Sequence, residues 1–75
     1  VTVVEADAGW EGMEHAHESD GQEEVYVLLS GAAKLTVEDD TVDMDPGDTV
    51  RVDPEDSRML LFEEDDSRMV IAGAP

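Results

Sequence analysis

Apolar residues in this chain recur at every second position in short runs, and nearly every run is closed by residues that turn the backbone. Leu35 and Val37 alternate with Lys34, Thr36 and Glu38, Val42 and Met44 with Thr41, Asp43 and Asp45, and Val50 and Val52 share a face. A period of two is strand geometry, because successive side chains of an extended backbone point to opposite faces. No window carries the i, i+3, i+4, i+7 stripe of an amphipathic helix. The pattern predicts strands over 1–5, 12–18, 24–30, 34–38, 41–45, 49–52, 59–63 and 68–72, with 6–12 an irregular approach. The 24–30 run is the most apolar and is expected to be central, buried on both faces. Ser19-Asp20-Gly21, Asp39-Asp40, Pro46-Gly47-Asp48, Pro54-Glu55-Asp56-Ser57 and Asp65-Asp66 read as turns, and Gly31 as the opening of a hairpin. Short, evenly spaced strands imply an all-β barrel or sandwich.

Size adds a second constraint. The 75 residues make one domain, 1–75, and a core this small seldom supplies more than ~3–5 kcal/mol by itself. There is no cysteine, which excludes disulfides, thiolate metal sites and cysteine nucleophiles. The remaining supports are a metal held by His and carboxylates, an oligomer interface, or both. A homodimer is expected, pairing exposed strand edges (Val1 to Val4 first) or sharing Trp10, Met or Phe62 surface. Cysteine absence fits a reducing compartment and no basic segment opens the chain, so the expected location is cytoplasmic. The longest apolar run, Val25 to Leu29, is too short to span a bilayer.

Charge narrows the partners. Asp and Glu number 21 against 4 Lys and Arg, a net charge of −17. Nucleic acid and anionic membrane both require a cationic surface, so neither is an expected partner. The apolar fraction of 40%, set in alternating blocks, distinguishes the chain from acidic disordered segments. Carboxylates at most polar positions resemble the proteins of salt-accumulating halophiles, whose salt screens self-repulsion. A surface for a cationic partner is the alternative.

His15 and His17 flank Ala16. On a strand both imidazoles project to one side, as two neutral metal ligands would. Glu24 heads the next apolar strand, and pairing of the two strands can bring its carboxylate to the same inner face. Two His and one carboxylate with open positions suit a divalent ion such as Fe, Mn, Ni or Zn. The alternative leaves both histidines in solvent beside Glu14 and Glu18.

The run His15-Ala16-His17, Glu24, then Gly31 after six residues resembles the first motif of the cupin superfamily, and Gln22 to Gly31 is similar to its strand–turn portion. Pro46-Gly47-Asp48-Thr49-Val50-Arg51-Val52-Asp53-Pro54 resembles the opening of the second motif, so the resemblance spans Trp10 to Arg58. It implies a small jelly-roll barrel of short antiparallel strands, with His15, His17 and Glu24 as three metal ligands. The gap between His17 and Glu24 is longer than usual for the family. The family's second motif supplies a fourth ligand, a His, and Arg58 stands in its place. A guanidinium cannot ligate a metal. Arg58 therefore either pairs with Glu24 in the space of the metal, or sits beside a three-ligand metal and binds an anionic substrate group, or pairs with a surface acid. Trp10 and Tyr26 join Arg58 as candidate substrate-binding residues, with core or interface packing the alternative for both. Dioxygenases, isomerases, decarboxylases and simple binding proteins all share this fold, which does not choose among them. A metal-free small-anion sensor and a structural dimerisation domain are the other readings.

Overall fold

The computed structural model describes residues 2–14 and 23–74. In chain order its strands are β1 (Thr2–Ala6), β2 (Glu11–Glu14), β3 (Glu23–Ser30), β4 (Ala33–Val37), β5 (Asp40–Met44), β6 (Thr49–Val52), β7 (Arg58–Phe62) and β8 (Ser67–Ala74). They form two four-stranded antiparallel sheets, ordered β1-β8-β3-β6 and β2-β7-β4-β5. The expected all-β jelly-roll architecture is the one observed. Among the described residues no helix is long and apolar enough to cross a membrane.

Alternation along each strand decides what enters the space between the sheets. On β7 the burial pattern runs buried, half-buried, buried, so Arg58, Leu60 and Phe62 face inward. Tyr26 and Leu28 do so from β3, Leu35 from β4, Met44 from β5, Val52 from β6, and Met69 and Ile71 from β8. Each large apolar side chain so buried contributes about 1.5–3 kcal/mol. The outer face of β3 is less covered than expected: Val25 and Val27 are half-buried and Leu29 is 49% exposed. One face of the strand meets the core, and the other looks outward.

Turn chemistry located the strand ends but not the strand partners. β3 and β4 lie in different sheets, so Gly31 opens a crossing between sheets rather than a hairpin. Gly31 has φ +84°, and a Cβ there would stand 2.1 Å from the Ser67 hydroxyl and 2.7 Å from its Cα. Ser67 is fully buried; its hydroxyl donates to the Glu64 carbonyl at 2.7 Å and accepts from the Ala32 N–H at 3.4 Å. The crossing is thus pinned to the start of β8, and only glycine fits so close an approach.

β4 and β5 form a hairpin whose turn is Glu38-Asp39, since Asp40 already pairs with Val37 and Glu38 takes φ +53°. This shifts the expected Asp39-Asp40 turn back by one residue. Val42, expected to face in, is 39% exposed, whereas Met44 two residues further along the same edge strand is buried. In Asp45-Pro46-Gly47-Asp48, Pro46 presets one central position and Gly47 takes φ +95° at the next, the backbone of a type II turn. The Asp48 N–H closes it on the Asp45 carbonyl at 2.9 Å.

β2 pairs with β7, and β3 with β6 and β8. The described part of the expected histidine-bearing strand, β2, pairs with β7 and lies in the sheet opposite β3. His15 and His17 lie outside the described residues.

Candidate functional site

The site is built where β3 and β7 face each other. Glu24 and Tyr26, two apart on β3, share the inner face, and the Tyr26 hydroxyl donates to Glu24 Oε1 at 3.1 Å. Arg58 is the first residue of β7 and points inward by the alternation that buries Leu60 and Phe62. Its Nη1 donates to the same Glu24 oxygen at 2.6 Å, with side-chain exposures of 1% for Arg58 and 17% for Glu24. The loop from Asp53 to Ser57 wraps the other side of the guanidinium. Nη2 donates to the Asp53 carbonyl at 2.9 Å and also to the Asp56 carbonyl, which accepts from Nε at 3.1 Å. A buried guanidinium held by a carboxylate and two carbonyls is fixed in position and has its charge offset. Among the described residues, four of its five N–H groups are engaged and one Nη1 hydrogen is left.

Sequence reasoning missed those two carbonyls. Backbone acceptors carry no residue signature, and only the Pro54-to-Ser57 turn hinted that the chain doubles back beside Arg58. The same loop gathers acids. The Asp56 carboxyl is pushed above the usual carboxylate range by desolvation, then by Glu38, Glu55 and Asp53, while Arg58 opposes the shift.

A cavity of about 150 Å³ opens beside the pair, lined by Val4, Trp10, Gly12, Tyr26, Arg58, Leu60 and Ile71. The Trp10 ring lies at 5.3 Å and 30° from Phe62, within the range where tilted aromatic pairs attract. A Cβ on Gly12 would stand 2.5 Å from the indole edge, so this glycine makes room for the ring. Trp10 is 38% exposed, at the boundary of cavity and solvent. Trp10, Tyr26 and Arg58 thus line one cavity, and Glu24 sits behind two of them.

Of the expected metal set, Glu24 lies among the described residues, and His15 and His17 lie outside them. No group of three His, Cys, Asp or Glu side chains among the described residues could hold an ion. Glu24 Oε1 already accepts from Arg58 and Tyr26. A divalent ion on that oxygen would lie within roughly 5 Å of the guanidinium, a repulsion of about 7 kcal/mol at an effective dielectric of 20. That oxygen does not fit a metal while Arg58 holds it.

The family model of the cupin domain matches residues 2–72, and the chain belongs to that family. Solved structures agree on the fold. KdgF from a Halomonas species is similar at 20% identity with a TM-score of 0.79, over 92% of this chain and 60% of its own. A Thermus thermophilus protein is similar at 16% identity and TM-score 0.83, over 97% of this chain and 69% of its own. A predicted oxalate decarboxylase from Thermotoga maritima is similar at 18% identity and TM-score 0.78, over 95% of this chain and 60% of its own. The chain therefore spans about three fifths of the length of the Halomonas and Thermotoga proteins. No curated protein matches the sequence.

Proposed function

We propose that this cupin domain binds a small molecule with a ring-sized apolar body and one acceptor group, in the cavity between Trp10 and Arg58. The observation that carries the reading is the Arg58–Glu24 contact at 2.6 Å, which fixes a cation in the wall of the cavity. Around it the cavity offers mostly apolar wall, from Val4, Leu60, Ile71 and the indole. An apolar cavity of about this volume can hold a benzene-sized guest. The remaining Nη1 hydrogen of Arg58 is the donor for a carboxylate or carbonyl oxygen, which a carboxylate would use best. This is binding without a metal on Glu24 Oε1. It requires neither catalysis nor a particular substrate, and a reducing, cytoplasmic setting suits a chain with no cysteine.

Calorimetry and thermal melts with benzoate and its neutral analogue benzyl alcohol test it. Benzoate is expected to raise the melting temperature and benzyl alcohol to do so less, with Trp10→Ala abolishing both effects. Stoichiometric divalent metal in protein purified without a tag, lost in His15→Ala, His17→Ala and Glu24→Ala, would overturn the reading. It would restore the three-ligand metal site instead.

A further inference from the structure

The turn between β4 and β5 holds a residue that its backbone does not favour. Glu38 is the first of two loop residues and takes φ +53°, where hairpins favour glycine, Asn or Asp. A glutamate in that conformation is strained, and strain held in place by the residue's own contacts points to a use for its side chain. The contacts are with Ser57. Val37 pairs with Arg58 at the end of the β4–β7 ladder, so the next pair would be Glu38 and Ser57, exchanging two backbone hydrogen bonds. One of them is made, from the Glu38 N–H to the Ser57 carbonyl at 2.9 Å. The other is replaced, because the Ser57 N–H donates to Glu38 Oε1 at 3.0 Å. The carboxylate stands in for the Glu38 carbonyl.

This clamp closes the loop that wraps Arg58. The loop leaves β6 at Val52, which pairs with Glu24 on β3. It turns at Asp53 to Asp56, where the Asp56 N–H donates to the Asp53 carbonyl at 3.1 Å, and it rejoins the sheet at Ser57. The β3–β6 ladder fixes the first end, and Glu38 fixes the second. Between the two anchors lie the Asp53 and Asp56 carbonyls, which accept from Nε and Nη2 of Arg58. Glu24 holds the opposite side of the guanidinium. The plane of the group, and with it the direction of the remaining Nη1 hydrogen, therefore follows the loop. The clamp forms against like charge: after desolvation, Glu38 is the largest cause of the upward push on the Asp56 carboxyl.

We propose that Glu38 is a positioning residue for Arg58: its hold on Ser57 sets the Asp53–Ser57 loop and, through the two carbonyls, aims the Nη1 hydrogen at the ligand's acceptor. Glu38 is itself exposed and forms no part of the cavity wall. Its effect on ligand choice rests on the binding reading above; its effect on Arg58 does not. Without the clamp the guanidinium loses its fixed direction, while the apolar walls that hold the ring stay in place.

Three variants of the full chain test it. Glu38→Gly removes the acceptor and suits φ +53°. Glu38→Gln keeps an acceptor and removes the charge, and Glu55→Ala removes a carboxylate of the same loop outside the clamp. Solvent exchange of the Arg58 Nε–H is read by NMR of isotopically labelled protein. The Arg51 and Arg68 side chains are 68% and 51% exposed, so the slowly exchanging group is that of Arg58. Glu38→Gly should speed the exchange about ten-fold or more, with Glu38→Gln and Glu55→Ala within about two-fold of the parent. In melts, Glu38→Gly should bring the benzoate shift down to that of benzyl alcohol, whose own shift is kept, and Glu38→Gln should preserve the parent's difference. A loss of stability alone would lower every melt and leave that difference intact. Unchanged Arg58 exchange in folded Glu38→Gly would overturn the proposal, and so would equal acceleration in Glu55→Ala. A parent that does not distinguish the two ligands would instead overturn the binding reading, and the exchange rates would still decide the role of Glu38.

Discussion

Arg58 and Glu24 are 34 residues apart and on opposing sheets, and their 2.6 Å contact ties the two sheets together through charge rather than apolar packing. Arg58 and Ser67 are the buried polar residues among those described. One fixes the interior of the site and the other fixes the crossing between sheets, and each is satisfied mainly by backbone carbonyls.

Removing the cation should therefore be severe. Arg58→Ala leaves a mostly buried carboxylate beside an emptied space and strips donors from the Asp53 and Asp56 carbonyls. The expected loss is about 3–5 kcal/mol, comparable to the whole stability of a domain this size. Urea unfolding checks it. Combining Arg58→Met with Glu24→Gln should cost less than the two single changes added together.

Gly31 and Gly47 both have positive φ, and they separate strain from collision. Gly47→Ala meets nothing within 4 Å and should cost only the ~1–2 kcal/mol of left-handed backbone. Gly31→Ala adds a Cβ 2.1 Å from the Ser67 hydroxyl and should cost well over 3 kcal/mol or prevent folding. Parallel thermal melts of the two variants distinguish these outcomes.

Asp56 supplies a pH signature. Its carboxyl titrates above the ordinary range in the fold, so its protonated form favours the folded state. Its contribution to stability is full below the unfolded carboxylate pKa of about 3.9 and is lost as pH rises through the folded value. Asp56→Asn keeps the carbonyl that accepts from Arg58 and removes the charge. The variant should melt higher than the parent at pH 7, and the gap should close as the pH approaches 4.

Gly12→Ala should displace the Trp10 indole while the strands remain. A red shift in tryptophan emission with unchanged far-ultraviolet circular dichroism is the expected readout. Ligand affinity in the cavity should change with it, because the ring forms part of the wall.

Strand positions were legible because alternation and turn residues are local properties. The expected strands match β1 and β3 to β8 to within about two residues at most ends. Glu24 was legible as inward-facing for the same reason, since it lies in phase with Tyr26 and Leu28. Which strand pairs with which was not legible. Gly31 looks the same whether the chain turns back beside itself or crosses to the other sheet, and Ser67, the residue that decides it, lies 36 positions away with no pattern to single it out. Arg58 was found by its position in a motif, but its burial depends on carbonyls in a loop whose side chains are all that a sequence displays. Val42 and Met44 alternate alike on β5, yet only Met44 is buried, a difference that the alternation itself does not carry.

Among the described residues, the hairpin between β4 and β5 is the one pairing that joins strands consecutive in the chain. Every other ladder waits for segments that are distant along the polymer, with β1 meeting β8 and β2 meeting β7. Local order can begin around Glu38-Asp39, but it gains little until the ends of the chain arrive. Such a polypeptide folds slowly for its size and mostly all at once. During that search its apolar strands are exposed to other chains, and the net charge that weakens the finished barrel is then what keeps unfinished copies apart.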